Sequence, residues 1–217
     1  MEVGSKHFIQ EEILTLLPEK AIYWESKEVL IIADLHLGKA RHFRANGLAV
    51  PKAVETSNWE TLAGLIKTIR PTRVLLLGDL FHSFYNREVA NLKEFIADFS
   101  HISFELIIGN HDVLGVGTYE DLNLIVHHDE LIIPPFIFTH EPLEKSSGDL
   151  FNLAGHIHPA VIMKGKGRAR QKFPCFYFTQ QLGLFPAFFG AFTGTAEIKP
   201  QKNDKIYIIA DQEVIDV

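Results

Sequence analysis

Asp, His and Asn side chains recur along this chain in five short clusters, each closing an apolar run. In order they are Asp34-Leu35-His36, Gly78-Asp79, Gly109-Asn110-His111-Asp112, His140 and Gly155-His156-Ile157-His158. Mixed nitrogen and oxygen donors suit Mn, Zn or Fe, whereas a calcium site would use oxygens alone. Seven groups, Asp34, His36, Asp79, Asn110, His140, His156 and His158, give two ions four protein ligands each when one carboxylate is shared. A pair of divalent ions acidifies water and neutralises charge on phosphate oxygens, which is the chemistry of phosphate ester hydrolysis. Manganese is the expected metal, with zinc and iron as alternatives.

No single cluster would carry this reading. An Asp-x-His pair is commonly a turn or a surface pair, and an isolated Gly-Asp is commonly a turn. The chain has 11 His, and His7, His42, His82, His101, His127 and His128 stand outside the pattern, where packing or surface roles are expected. The ordered set is what distinguishes the seven.

The clusters need elements that bring them together. Val29 to Ala33 is a continuous apolar run, as expected of a strand buried on both faces, and a polar loop is expected after it. Pro51 opens a helix near its first turn; Leu62, Leu65, Ile66 and Ile69 recur at helical spacing, and Pro71 stops it. Val74 to Leu77 reads as a second buried strand. Asn86 is placed to cap a helix with Leu92, Phe95, Ile96 and Phe99 on its buried side, and Phe104 to Ile108 is a third strand.

Strand and helix thus alternate, which implies parallel βαβ units. In open α/β sheets ligands bind at the carboxyl ends of the strands, so Asp34, Asp79 and Asn110 are expected to meet. After residue 120 the apolar runs are short, at 122–126, 131–133, 136–139, 151–154, 174–178 and 206–209, and predict a strand-rich half. His140 follows one such run. His156 and His158 would project to one face if their segment is extended. Two facing sheets flanked by helices is the expected architecture, in one domain over 1–217.

The ordered motifs from residue 34 to 158 resemble those of the calcineurin-like metallophosphoesterases. The resemblance implies an α/β four-layer αββα sandwich with two facing mixed β-sheets. It also implies that Asp79 bridges the metals, that Asp34, His36 and His158 complete one site, and that Asn110, His140 and His156 complete the other. His111 would protonate the leaving oxygen, with Asp112 holding its ring.

A narrower likeness surrounds the motifs. Asp34-Leu35-His36-Leu37-Gly38-Lys39 continues into His42-Phe43-Arg44, Gly47 and Pro51. Gly155-His156-Ile157-His158-Pro159, Gly165-Lys166-Gly167-Arg168, Pro174-Cys175-Phe176, Pro186-Ala187-Phe188 and Phe192-Thr193-Gly194 follow. These are similar to the bacterial DNA ligase-associated metallophosphoesterases, which implies DNA-end phosphodiesterase or nuclease activity, DNA repair, and a repair protein such as a DNA ligase as partner.

The 217 residues are 47% apolar with 17 Phe, enough for a sizeable core. A net charge of −6 gives no global field toward nucleic acid or anionic membrane, so DNA contact would need a local patch. Two candidates exist: Lys39, Arg41 and Arg44 after the first ligand pair, and Lys164, Lys166, Arg168, Arg170 and Lys172 after the last, which is equally readable as a solvated turn. Lys39, Arg44, Lys166, Arg168 and Arg170 are the expected substrate-binding residues. Phe43, Phe84 and Tyr85 are placed to stack on a base, although core packing suits Phe43 better.

The single cysteine, Cys175, excludes an intrachain disulfide and a Cys-based zinc site. No signal-peptide pattern opens the chain and its apolar runs are too short to span a bilayer, so a cytoplasmic protein without membrane contact is expected. A small-nucleotide phosphodiesterase or phosphomonoesterase is the alternative within the same chemistry; a non-catalytic scaffold is opposed by the complete ligand set.

Overall fold

The computed structural model describes residues 4–51, 53–82, 86–145, 148–165, 167, 169–188 and 194–217. Seven strands form the first sheet in chain order: β1 (Ser5–Ile9), β2 (Glu12–Leu16), β3 (Ala21–Trp24), β4 (Val29–Ala33), β5 (Arg73–Leu77), β6 (Ser103–Ile107) and β7 (Leu124–His127). The first four run antiparallel as a meander. From β4 onward the pairing is parallel, with Ala33 beside Leu77 and Leu77 beside Ile107. Parallel neighbours need crossovers. Those between β4, β5, β6 and β7 contain helices α1 (Lys39–Ala45), α2 (Ala53–Ile69), α3 (Asn86–Asp98) and α4 (Val116–Glu120).

The second sheet contains β8 (Glu130–Ile133), β9 (Phe136–Thr139), β10 (Phe151–Ala154), β11 (Pro159–Lys164), β12 (Arg170–Phe178), β13 (Leu182–Leu184), β14 (Ala196–Glu197), β15 (Lys205–Ala210) and β16 (Glu213–Asp216). Its order is β14-β11-β12-β13-β10-β9-β8, with β15 on β12 and β16 on β15. β9, β10 and β13 are mutually parallel and the outer pairings are mixed.

Alternation along the strands divides the core. Leu30, Ile32, Val74, Leu76, Phe104 and Leu106 face Leu62, Leu65, Leu92 and Ile96 of the helices. Val29, Ile31, Leu75, Leu77 and Ile107 face Phe136, Phe138, Phe151, Leu153 and Phe176 of the second sheet. The predicted pair of facing mixed sheets with helical cover is therefore what forms. The four described α-helices all precede residue 121. No described helix is long and apolar enough to cross a membrane.

The structure differs from the sequence reading in three places. The stretch after β4 is not simply a polar loop, since α1 occupies part of it; seven residues with only Lys39 and Ala40 buried give no apolar period to detect. The meander β1–β3 was not anticipated. Asn86 begins α3 as its first helical residue.

Candidate metal centre

Five of the seven candidate ligands sit in left-handed backbone at the ends of strands: Asp34 (φ 55°), His36 (44°), Asp79 (49°), His156 (64°) and His158 (51°). Non-glycine residues rarely adopt this region, and such residues concentrate at functional sites. The loops after β4 and β5 are zipped together. His36 N–H donates to Asp79 O at 2.8 Å, Leu37 N–H to Leu80 O at 2.8 Å, and His82 N–H to Leu37 O at 2.9 Å. Glycines allow the close approach: a Cβ on Gly155 would lie 2.7 Å from Asp34 Oδ2, and one on Gly109 would lie 2.6 Å from Asp79 Oδ1.

Two groups result. Asp34, His36 and His158 converge in one, and Asp79, His140 and His156 in the other; within each group the ligand atoms lie within 4.8 Å of one another. Asp79 lies between them, with Oδ2 3.8 Å from His36 Nε2 and Oδ1 3.4 Å from His140 Nε2. In the first group His158 Nε2 is 3.3 Å from Asp34 Oδ1, while its Nδ1 is 3.0 Å from Gly194 O. A carbonyl at one ring nitrogen fixes the proton there and leaves the other nitrogen as a ligand.

His140 is arranged in the same way, with Nδ1 2.9 Å from Leu77 O and Nε2 2.9 Å from Asn110 Oδ1. His156 Nδ1 completes the second group, 3.1 Å from both Asn110 Oδ1 and His140 Nε2.

Fit to metal ions is tested by what these atoms lack. Among the described residues, both ring nitrogens of His36 and Nε2 of His158 are buried without a hydrogen-bond partner. Burial first, then the charges of Lys39, His158, His82 and His111, push the His36 pKa down to about 2. A neutral, buried and unpartnered imidazole has the protonation state a metal ligand requires. The donor set, two buried residues and one half-buried histidine in each group with the Asp79 carboxylate between them, fits two ions.

A sequence profile of the calcineurin-like phosphoesterases matches residues 27–182, the segment that carries both groups. The chain belongs to this family. As a phosphoesterase it is a hydrolase of phosphate esters, and the family's dinuclear metal centre corresponds to the two groups above.

Among solved structures the chain is similar to the Pseudomonas putida nuclease MPE, at 27% identity and a TM-score of 0.80, over 98% of this chain and 99% of that one. More distant likenesses are Yfce, a phosphoesterase from E. coli, and the AQ665 protein of Aquifex aeolicus. For Yfce the identity is 12% and the TM-score 0.46, over 87% of this chain and 97% of that one. For AQ665 they are 17% and 0.42, over 65% and 82%. No curated protein sequence matches the chain.

Other residues of this phosphoesterase sit differently from expectation. Asp112 does not hold the His111 ring. Its Oδ1 accepts from the N–H groups of Leu80 (2.9 Å) and Phe81 (3.2 Å), and its Oδ2 from Gly109 N–H (2.9 Å), so it ties two ligand-bearing loops together. Burial raises its pKa to about 6 against the pull of those amides. The backbone N–H of His111 donates to Asp79 Oδ1 at 2.9 Å, and its ring lies 5.7 Å from that of His36.

Lys39 is buried; burial lowers its pKa, while the carboxylates of Asp34 and Asp79 oppose the shift. Arg44 reaches the carbonyl of Val50 at 3.5 Å, and Phe43 packs on Ala40 and Val50.

Arg170 is not brought to the centre. It pairs with Lys164 at the far end of the β11–β12 hairpin, so six extended residues, roughly 20 Å of strand, separate that pair from His158. Lys166, Arg168, Phe84, Tyr85, Phe192 and Thr193 lie outside the described residues.

One residue set aside by the sequence reading, His82, belongs to the rim. The His82 ring lies 5.7 Å from His36, 5.6 Å from His111 and 5.0 Å from His42. Among the described residues its Nδ1 is buried without a hydrogen-bond partner, and burial with Lys39 and His42 pushes its pKa down to about 4. The bridge between Leu37 and Phe81 carries it there. The spacing Asp79-Leu80-Phe81-His82, a carboxylate and an imidazole just past a strand, was the available signal.

Proposed function

We propose that this chain is a phosphodiesterase or nuclease acting on DNA ends in DNA repair, of the DNA ligase-associated kind, using two manganese ions, with zinc or iron as alternatives. The observation that carries the reading is its likeness to nuclease MPE over almost the whole of both chains, in a phosphoesterase with both ligand groups complete. Cytoplasmic location and a repair protein such as a DNA ligase as partner follow from the same reading.

Asp34, His36 and His158 would hold one ion, Asn110, His140 and His156 the other, and Asp79 both. Bound ions supply Lewis acidity toward phosphate oxygens and acidify water. The protein contributes positioning. Asp112 clamps the Leu80 and Gly109 loops, and Asp79 is oriented further by His111 N–H. His111, exposed at the rim, donates a proton to the leaving oxygen. Lys39 adds positive charge beside Asp34 and Asp79, which favours phosphate.

The test uses protein loaded separately with manganese, zinc and iron. It is offered linear duplex DNA, single-stranded DNA, closed circular DNA and bis(p-nitrophenyl) phosphate. We expect hydrolysis of the small diester and of linear DNA, fastest with manganese, and resistance of the circle. A circle cut as fast as linear DNA would remove the preference for ends. Small-diester activity with every DNA left intact would favour the small-nucleotide alternative.

A further inference from the structure

Beside the metal centre lies a cavity of about 80 Å³ lined by Lys20, His158, Pro159, Pro174, Pro186 and Thr195. One wall is the candidate ligand His158. Drug-sized ligands occupy pockets of roughly 300–1,000 Å³, so this one takes a fragment, a phosphate or part of a sugar. Backbone register explains the position of Lys20. It closes the tight turn between β2 and β3, with Lys20 N–H on Leu17 O at 3.0 Å. Ala21 pairs with Ile32 across β3 and β4, so Lys20 stands at the end of the sheet where the next residues are Ala33 and Asp34. Phe188 N–H, on Ala33 O at 3.0 Å, fastens the Pro186 segment to that same end.

Lys20 is unusual in what surrounds it. It is half-buried, and burial alone accounts for the lowering of its pKa. Among the described residues its ammonium makes no hydrogen bond and no ion pair. Partly buried ammonium groups are costly unless paired. Three prolines supply an apolar wall and no N–H donor. A second cation borders the cavity, since Lys172 Nζ donates to Thr195 O at 2.7 Å. A positive, proline-walled recess touching a metal ligand fits an anion attached to a sugar.

We infer that Lys20 is a substrate-binding residue that receives the phosphate adjacent to the scissile one in a nucleic-acid strand, in the cavity beside His158. The inference rests on the nuclease reading, and its test does not need nuclease activity. Hydrolysis of bis(p-nitrophenyl) phosphate is inhibited with thymidine monophosphate and with thymidine 3′,5′-bisphosphate, using manganese-loaded wild type, Lys20→Gln and Lys20→Arg. A charge-assisted contact gives the wild type a preference of about tenfold or more for the bisphosphate.

Lys20→Gln should erase that preference, read as the ratio of the two inhibition constants within each protein. Lys20→Arg should retain the preference. Equal discrimination by wild type and Lys20→Gln overturns the inference, as does a wild type that does not discriminate. Equal losses on every substrate, or in both variants, would make Lys20 a structural turn residue and overturn it too. Oligonucleotides left uncleaved by wild type would instead count against the nuclease reading, whatever the inhibitors do.

Discussion

The two metal groups are built from the same residue types but are supported differently. Around Asp79, His140 and His156 the protein supplies its own partners: Leu77 O holds one side of the His140 ring, and Asn110 Oδ1 faces both imidazoles. Around Asp34, His36 and His158, support among the described residues comes from Gly194 O, which holds His158, and from His156 N–H, which donates to Asp34 Oδ2 at 3.0 Å. Among the described residues, neither ring nitrogen of His36 has a hydrogen-bond partner. A buried polar group without a partner costs stability. The second group is therefore preorganised by protein contacts, whereas the first depends on its ion for satisfaction.

The largest effect should come from the residue common to both groups. Asp79→Ala should remove both ions and reduce phosphodiester hydrolysis well beyond the roughly 10–100-fold that outer partners of metal ligands command. Elemental analysis of the purified variant checks this directly. Retention of two ions would show that Asp79 does not join the groups, and the comparison would lose its hinge.

A smaller effect separates the groups. In metal-free protein His140→Leu strands Leu77 O, the acceptor for its Nδ1–H, and should cost about 1–3 kcal/mol. His36→Leu replaces an unsatisfied imidazole with an apolar group of similar size, and should be neutral or stabilising without metal. With each ion at a hundredfold over its Kd, wild type gains about 2.7 kcal/mol per site, and both variants should gain less. Denaturant unfolding with and without chelator measures all of this. A metal-free His36→Leu as destabilised as His140→Leu would break the distinction.

Much of this centre was legible in the sequence because its strands are buried on both faces. β4, β9 and β10 are buried at every position, and β5 and β6 at four of five, so continuous apolar runs announced both the strands and the residues ending them. What was not legible depends on pairing across the chain. His82 reaches the rim through the Leu37–Phe81 bridge, and Lys20 reaches the cavity through the register of β3 on β4. Neither pairing leaves a local pattern. For Lys164 and Arg170, nearness to His158 in sequence becomes distance, because the segment is an extended hairpin. The left-handed backbone of five ligands is likewise imposed by the assembled loops.

The smallest predicted effect uses a half-buried histidine outside both groups as the reference case. His7 on β1 has its Nδ1 2.9 Å from the Tyr207 hydroxyl and stacks on Phe178 with ring centroids 4.1 Å apart. Burial, reinforced by Lys205 and opposed by Asp216, lowers its pKa from 6.5 to about 4. The unfolded chain then binds the proton more readily than the folded one. Its contribution to stability is present above about pH 6.5 and is lost as pH falls from there toward 4. Partial exposure limits the size to about 1–2 kcal/mol. His7→Phe keeps the stack and cannot titrate, so the pH 4–6.5 slope of unfolding free energy should flatten relative to wild type. Measured under chelator, this difference isolates a histidine satisfied by protein from those that await an ion. An unchanged slope would mean that His7 is not held neutral by the fold, and that burial alone does not separate satisfied from ion-dependent histidines here.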